Sequence, residues 1–270
     1  MALRSAIINV MAMAVDKAGR SLVRDFGEVE QLQVSRKGPA DFVSSADRRA
    51  EKILRKALAQ AHPEFGMLLE EFGIVEGEDD RHRWIVDPLD GTTNFLHGLP
   101  HFCISVALER DGQVIAGVVY DPVKDELFWA ERGIGAYVND RRLRVSNRSR
   151  IGEGVFATGI PFLEIRDRSE HGKYLGQLGN VMGKCAGIRR FGSAALDLAY
   201  VAAGRYDGYW ENGLHPWDVA AGVLLVREAG GLVTDIAGRR YELGATDICA
   251  GNDYLHQPLR KLLRSIPAQD

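Results

Sequence analysis

The feature that most constrains the fold is a change in the pattern of apolar residues near residue 150. Before it, between residues 102 and 145, short β-rich runs alternate with turn residues such as Asp111-Gly112. The runs cover residues 102–109, 113–121, 126–131 and 135–140. Closely spaced runs of this kind predict an antiparallel meander.

After residue 150, patterns typical of strands and of helices alternate. They predict strands around Phe156 and over 186–191 and 206–211, and helices over 167–182, 193–203 and 216–228. The last helix has Pro216 just inside its start and Gly230-Gly231 just past its end, which is typical of true helix boundaries. This half of the chain is therefore predicted to combine a sheet with helices packed on it.

Two further helices are predicted at the start of the chain. Apolar residues recur at helical spacing over 3–22, and a second helix is predicted from Ser44 or Ser45 to His62. A basic residue before the apolar run 6–15 also resembles a signal peptide. The helical pattern continues past the possible cleavage point, so a helix is the better interpretation.

Composition narrows the possible functions. With 34 Lys and Arg against 37 Asp and Glu, the formal net charge is -3, which disfavours a dedicated nucleic-acid binder. The three cysteines are widely spaced and suggest neither a disulfide framework nor a zinc motif, which indicates a cytoplasmic protein. No apolar run approaches the roughly 20 residues of a membrane span. Without a linker or repeat, residues 1–270 are predicted to form one domain with halves of about 1–150 and 151–270.

Two carboxylates stand at the end of a predicted strand in the segment Trp84–Phe95. Pro88 limits the backbone between Asp87 and Asp90, and Gly91 allows a sharp turn, so both acids can point into one pocket. The backbone N–H groups of the turn, from Gly91, Thr92 and Thr93, could hold an anion. These are the ingredients of metal-assisted phosphoryl transfer. The alternative is an ordinary Asp-Gly turn preceded by a capping Asp87.

More acids occur at comparable positions. Glu70-Glu71 follow the apolar run 67–69, and Asp218 lies in the first turn of the helix opened by Pro216. Each has an ordinary alternative, because adjacent acids at a strand end are usually solvated. An acid in a first turn also stabilises the helix dipole, by about 0.3 to 1 kcal/mol.

Together these segments resemble the inositol monophosphatase family of magnesium-dependent, lithium-sensitive phosphatases, over nearly the whole chain. The matching segments are Trp84–Phe95, Trp217–Gly222 with Glu228–Gly231, Pro39–Asp41 with Asp47, and Gly192–Ala195. The resemblance implies an α+β fold, a layered α-β-α-β-α sandwich of the inositol monophosphatase and fructose-1,6-bisphosphatase type. One departure is Leu69, where the family usually has glycine before the Glu-Glu pair.

The resemblance also implies two magnesium sites. Glu70, Asp87 and the carbonyl of Leu89 would hold one ion, and Asp87, Asp90 and Asp218 would hold the second. The donor set supports this assignment independently, because an all-oxygen shell suits Mg²⁺ or Mn²⁺ rather than zinc.

For catalysis the resemblance implies direct attack by a metal-activated water, with no phospho-enzyme. Glu70 and the hydroxyl of Thr92 would orient the water, and Thr92 would bond Asp47. On the residues alone, Thr92 as a turn cap and Asp47 as a first-turn acid are equally good interpretations. Glu71 would support these ligands or a third metal, helped by the stretch around 37–41.

The substrate position is implied at Glu211, which would bind hydroxyls of the leaving group. The substrate-binding residues implied are Gly91, Thr92, Gly192, Ser193, Ala194, Glu211 and Asp218. Inositol 1-phosphate is the leading substrate. Fructose 1,6-bisphosphate, histidinol phosphate and 3'-phosphoadenosine phosphates remain alternatives, as does a Glu211 that merely ends a strand on the surface.

A different class of function is also open, since some bacterial members of the family are linked to RNA and the transcription machinery. Basic doublets occur at Arg48-Arg49, Arg141-Arg142, Arg189-Arg190 and Arg239-Arg240. Doublets on solvated faces usually serve solubility, so nucleic acid is a secondary expectation. The family also implies a homodimer.

Overall fold

The computed structural model describes residues 4–28, 34–38, 41–160 and 168–265. Its helices, in chain order, are α1 (Ala6–Phe26), α2 (Ser45–Ala61), α3 (Thr92–Leu96), α4 (Arg168–Met182), α5 (Ala194–Ala202), α6 (Pro216–Glu228) and α7 (His256–Arg264). The strands of the first half are β1 (Val34–Gly38), β2 (Asp41–Ser44), β3 (Phe65–Leu69), β4 (Gly73–Val75), β5 (Asp79–Asp90), β6 (Cys103–Arg110), β7 (Gln113–Asp121), β8 (Glu126–Glu131), β9 (Gly135–Val138) and β10 (Arg141–Arg142). Those of the second half are β11 (Val155–Thr158), β12 (Gly187–Arg189), β13 (Gly208–Asn212), β14 (Leu232–Thr234) and β15 (Asp247–Gly251).

These strands form two main sheets. The larger has eight strands in the order β10-β9-β8-β7-β6-β5-β3-β4, and the smaller has five in the order β12-β11-β13-β15-β14. Strands β5 to β10 are sequential antiparallel neighbours, so the predicted meander is confirmed. Parallel pairing occurs between β3 and β5 and between β11 and its neighbours β12 and β13.

Helices and sheets stack in five layers. Helices α1 and α2 cover one face of the large sheet, and α5 and α6 pack between the two sheets. Helix α7 packs on the small sheet with α4 beside it. The predicted layered α-β-α-β-α sandwich is confirmed. None of the described helices is long and apolar enough to cross a membrane.

The predicted elements after residue 150 are confirmed, and the helix over 216–228 has the bounds that were predicted. The first helix is capped by Ser5, whose hydroxyl accepts a hydrogen bond from the N–H of Ile8 at 3.3 Å. The second begins at Ser45. Beyond Gly231, where the sequence pattern predicted no element, the structure adds β14, β15 and α7.

Helix α6 is held very close to its neighbours by two glycines. A Cβ atom on Gly117 of β7 would lie 2.9 Å from the Cα of Ala221. A Cβ atom on Gly222 would lie 2.6 Å from the Cβ of Leu198 on α5. Since real Cβ atoms do not approach so closely, these glycines set the position of α6 between the large sheet and α5.

Candidate active site

Two parallel strands end side by side at the base of the site. In the pairing of β3 with β5, Leu69 lies opposite Val86, and the N–H of Glu70 donates to the carbonyl of Val86 at 3.2 Å. The pairing of the two strands therefore places Glu70 beside Asp87. Leu69, the position where the family usually has glycine, is fully buried at the end of β3.

An irregularity in β5 brings Asp87 and Asp90 to the same side. Asp87 pairs with Ser105 and Asp90 with Cys103, so β5 advances three residues while β6 advances two. In a regular strand, residues three apart point to opposite faces. The extra residue of a β-bulge corrects this, and the two carboxylates share a face.

The turn after β5 requires glycine. Gly91 has φ +96°, and a Cβ there would lie 3.1 Å from the carbonyl oxygen of His101. The turn leads into α3, where Thr92 Oγ1 lies 3.1 Å from Asp47 Oδ1 and 3.0 Å from the carbonyl oxygen of Leu89. The predicted contact between Thr92 and Asp47 is present, and Asp47 is buried in the first turn of α2.

Asp90 is anchored by the turn that precedes α5. Its Oδ2 accepts from Ser193 Oγ at 2.7 Å and from the N–H of Ala195 at 2.8 Å. The thiol of buried Cys103 lies 3.7 Å from the same oxygen. The turn through Ser193 therefore contacts the acid at the end of β5, and the predicted role of Gly192 to Ala194 in substrate binding stays a prediction.

Asp218 caps α6 while lying among the other acids. Its Oδ2 accepts from the N–H of His215 at 2.7 Å, in a capping box with the helix N-cap. Asp87 is fixed similarly, since its Oδ1 accepts from the N–H of Leu89 at 2.9 Å. A backbone N–H therefore fixes the orientation of each of these carboxylates.

We call four of these residues the acid cluster: Glu70, Asp87, Asp90 and Asp218. Burial is the main cause that raises the pKa of Asp87 well above its usual value, and the charges of the other three members raise it further. Burial, followed by the charge of Asp90, also raises the pKa of Asp218 well above its usual value. Burial raises the pKa of Asp90 against the opposing effect of its donors.

The ion pairs of the described residues leave out three members of the acid cluster. Among the ion pairs of the described residues, none involves Asp87, Asp90 or Asp218. Within the same part of the chain, no three His, Cys, Asp or Glu side chains are drawn together as a ready metal cage. Like charges repel, so a cation would stabilise the ionised carboxylates side by side. Asp87, Asp90 and Asp218 are each anchored by a backbone N–H and enter none of the described ion pairs, so they fit an oxygen-binding divalent ion.

Glu211 lies on β13, near Asp90 and Asp218. Burial raises its pKa to about 7, and the charge of Asp90 contributes in the same direction. The Tyr209 hydroxyl, which donates to Glu211 Oε2 at 2.5 Å, and the positive charge of Arg190 lower it. Glu211 is therefore partly buried and close to the acid cluster, unlike a carboxylate that merely ends a surface strand.

Glu71 lies one residue beyond the acid cluster. Its backbone N–H donates to buried Glu51 Oε2 at 2.9 Å, a contact that was not predicted from the sequence. Of the segment linked with a third metal, Pro39 and Ala40 fall outside the described residues.

Three further residues near the site were missed from sequence. Asn94 Nδ2 donates to the carbonyls of His101 at 2.7 Å and Phe191 at 2.6 Å, and so joins two loops around the turn. Asp197, on α5, is buried, and its pKa is raised by burial and then by the charge of Glu211. Gly159 lies against Glu211. Of these three residues, only Asn94 could have been noticed in the sequence, because it lies in the motif at 84–95.

Comparison with known proteins identifies the family. A model of the inositol monophosphatase family matches residues 3–268. The chain belongs to this family. The predicted family and the prediction of a phosphoric monoester hydrolase are confirmed, and the family is generally metal-dependent.

Individual relatives cover nearly the whole chain. An inositol-1-monophosphatase of Rhizobium meliloti strain 1021 is 59% identical over 267 residues, which cover 98% of this chain and 99% of that protein. The Nus factor SuhB of Escherichia coli K12 is 44% identical over 246 residues, which cover 91% of both. The crystal structure of extragenic suppressor protein suhB from Bartonella henselae has a TM-score of 0.94 at 59% identity, covering 97% of this chain and 99% of that one.

Proposed function

We propose that this chain hydrolyses inositol 1-phosphate to inositol and phosphate in a magnesium-dependent reaction. The observation that carries the proposal is the acid cluster, whose buried and half-buried carboxylates come from β5, the end of β3 and the first turn of α6. The cluster adjoins a hydroxyl, that of Thr92, which contacts the buried acid Asp47. The inositol-1-monophosphatase name of the Rhizobium relative supports the substrate.

The residues proposed to hold the ions are the cluster and one carbonyl. Glu70, Asp87 and the carbonyl of Leu89 would bind one Mg²⁺, with Asp87, Asp90 and Asp218 binding another. Mn²⁺ is a possible substitute, and Glu71 would support a third ion or the ligands themselves. When bound, Mg²⁺ supplies positive charge that stabilises the attacking and leaving oxygens of an in-line displacement.

The first role proposed for the chain's own residues is to orient the attacking water. Whether the Thr92 hydroxyl donates to Asp47 or to the carbonyl of Leu89, its proton is engaged and its lone pairs can accept from a water. Glu70 would accept the second proton of that water. The attacking oxygen then points toward phosphorus, which is a positioning effect as much as an acid–base effect.

The phosphate and the leaving group would be held by separate parts of the site. The N–H groups of Gly91 and Thr92 would bind phosphate oxygens. Glu211 would accept from adjacent hydroxyls of inositol, with the turn from Gly192 through Ser193 to Ala194 beside it. A site built for such bonds discriminates strongly against analogues that lack the hydroxyls.

A phosphate-release panel tests this proposal. Inositol 1-phosphate, fructose 1,6-bisphosphate, histidinol phosphate and adenosine 3',5'-bisphosphate are assayed with Mg²⁺ and with a chelator. We expect the highest kcat/KM for inositol 1-phosphate, no turnover with the chelator, and inhibition by Li⁺ that excess substrate does not relieve. A higher kcat/KM for another ester would contradict inositol 1-phosphate as the substrate. Turnover in the presence of the chelator would contradict the proposed dependence on Mg²⁺.

A second candidate function is participation in a transcription complex, which the name of the Escherichia coli relative, Nus factor SuhB, favours. Against an RNA role, Arg49 and Arg239 of the basic doublets already pair with Asp25 and Asp235. Salt-dependent binding of RNA to the purified protein would support it.

Two more expectations accompany the main proposal. The family resemblance supports a homodimer, which sedimentation or light scattering would test. The three cysteines, Cys103, Cys185 and Cys249, are free thiols in the structure, which supports a reducing, cytoplasmic location.

A further inference from the structure

The carboxylate of Glu211 is held from one side by Tyr209. The two residues are neighbours on one face of β13, because side chains two apart in a strand point the same way. The buried Tyr209 hydroxyl lies 2.5 Å from Glu211 Oε2. A hydrogen bond from a phenol fixes one carboxylate oxygen and leaves the other to be placed by packing.

The other oxygen is placed by Gly159. This residue directly follows β11, whose Thr158 pairs with Trp210 of the parallel strand β13. A Cβ atom on Gly159 would lie 1.7 Å from Glu211 Oε1 and 1.9 Å from its Cδ. The carboxylate therefore occupies the space that any other side chain at position 159 would need.

We infer that Gly159 and Tyr209 are positioning residues that fix the Glu211 carboxylate for the hydroxyls of a polyol leaving group, so that the absence of a side chain at position 159 determines substrate preference. The inference rests on the proposed function. It concerns only the leaving group, since neither residue belongs to the acid cluster.

The decisive variant is Gly159→Ala. Its methyl group collides with the far end of a flexible side chain, so Glu211 can swing aside while the fold is kept. Hydrogen bonds to the displaced carboxylate are lost, and we expect kcat/KM for inositol 1-phosphate to fall roughly tenfold relative to that for p-nitrophenyl phosphate. The fall should come mainly from KM, because the acid cluster and Thr92 are unchanged.

A matched control is Gly179→Ala, on α4. A Cβ atom there has no neighbour within 4 Å, so the substitution adds the same methyl group without displacing anything. Its kinetics on both esters should equal those of the wild type. Thermal unfolding of both variants checks that the fold is intact.

Tyr209→Phe removes the other restraint on the Glu211 carboxylate. Its effect is measured as a shift in the pH dependence of the substrate preference, which a packing defect would not cause. The ionisable groups whose charges act on Glu211, or on which it acts, are Asp90, Arg190, Asp197, Asp218, Tyr174 and Tyr209. Since the Tyr209 bond lowers the pKa of Glu211, its loss raises that pKa. The preference for inositol 1-phosphate, which needs the ionised acceptor, should then appear only at higher pH than in the wild type.

A double variant tests whether Gly159 acts through Glu211. In a Glu211→Gln background, Gly159→Ala should cause no further loss of preference. Additive losses, an equal loss for both esters, or a Gly159→Ala enzyme with unchanged preference would each overturn the inference. Failure of the proposed function looks different, because the wild type itself would then show no preference for inositol 1-phosphate.

Discussion

Two regions of this molecule bury acids in opposite ways. Where β11 starts, Asp207 is 1% exposed and is bonded by Arg148 at 3.0 Å, Ser146 at 2.5 Å and the N–H of Val155 at 2.8 Å. In the acid cluster, Asp87 is 2% exposed and has other carboxylates as its charged neighbours. Both acids are anchored by a backbone N–H, but of the two only Asp207 has an ion pair within the described residues.

The difference shows which acids belong to the framework and which to a binding site. A buried charge is stable only when it is paired and hydrogen-bonded. The chain supplies the cation for Asp207, whereas no ion pair of the described residues involves Asp87, Asp90 or Asp218. We expect a divalent ion from solution to neutralise these three acids. Burial alone would not separate Asp207 from Asp87, because both are almost fully buried.

The largest effect is expected from Asp90→Asn. Asparagine keeps the shape and the contacts to Ser193 and Ala195 but removes a ligand charge, so kcat should fall at least about 100-fold. Steady-state kinetics at ordinary Mg²⁺ measure this.

The framework acid provides the control for that variant. Asp207→Asn weakens the bond from Arg148, and hydrogen bonds to charged groups contribute about 1.5 to 3 kcal/mol. The free energy of unfolding should therefore fall while turnover per folded molecule is retained. Near-normal kcat for Asp90→Asn, or a large loss of kcat for Asp207→Asn, would break the distinction between the two regions.

The next effect concerns a neutral group beside the acid cluster. Thr92→Ala loses the hydroxyl that orients water, so kcat should fall by roughly 100-fold, the lower end for an acid–base contribution, with less change in KM. Thr92→Ser keeps the hydroxyl and should retain much of the activity. Equal kinetics for the two variants would make Thr92 a turn cap.

Glu211 is intermediate between the two regions, since it has a phenol as a donor and Arg190 nearby. Glu211→Gln should lower kcat/KM for inositol 1-phosphate roughly 10- to 100-fold, because a charged acceptor contributes about 1.5 to 3 kcal/mol. Hydrolysis of p-nitrophenyl phosphate is the comparison, since its leaving group has no hydroxyl to offer. A parallel loss on both esters would assign Glu211 to the architecture of the site.

The smallest effect is one of stability. In a chelator, Asp87→Asn removes one of several charges that repel one another, so the variant should have a higher Tm than the wild type. Each kcal/mol gained in the free energy of unfolding should raise Tm by roughly 2 to 4 °C. Mg²⁺ should stabilise the wild type more than the variant, because ligand binding to the native state raises Tm. Calorimetry with and without Mg²⁺ measures both changes, and a lower Tm for the variant in chelator would contradict the repulsion.

Local patterns made much of this fold predictable. The α6 bounds follow from Pro216 and the Gly230-Gly231 pair, and the turn at Gly91 follows from the need for positive φ. The proximity of Glu70 and Asp87 could be expected only by resemblance, because the parallel pairing of β3 with β5 leaves no mark in either strand.

What could not be predicted depends on contacts between distant segments. The sequence suggested that Pro88 and Gly91 direct both carboxylates to one side, whereas the structure does so by a bulge defined by pairing with β6. Gly159 looks like an ordinary loop glycine until β11 is placed beside β13. Asp197 lies in an apolar helix pattern that gives no indication of its nearness to Glu211.

The close packing of α6 has a consequence for how this enzyme tolerates change. Asp218 lies on helix α6, whose distance from the large sheet is set by Gly117 and whose distance from α5 is set by Gly222. Adding one methyl group at either position would move the whole helix, and with it a carboxylate that must keep its place to within a fraction of an ångström. Harmful variants of this protein can therefore arise behind the site, and a survey confined to pocket residues would not find them.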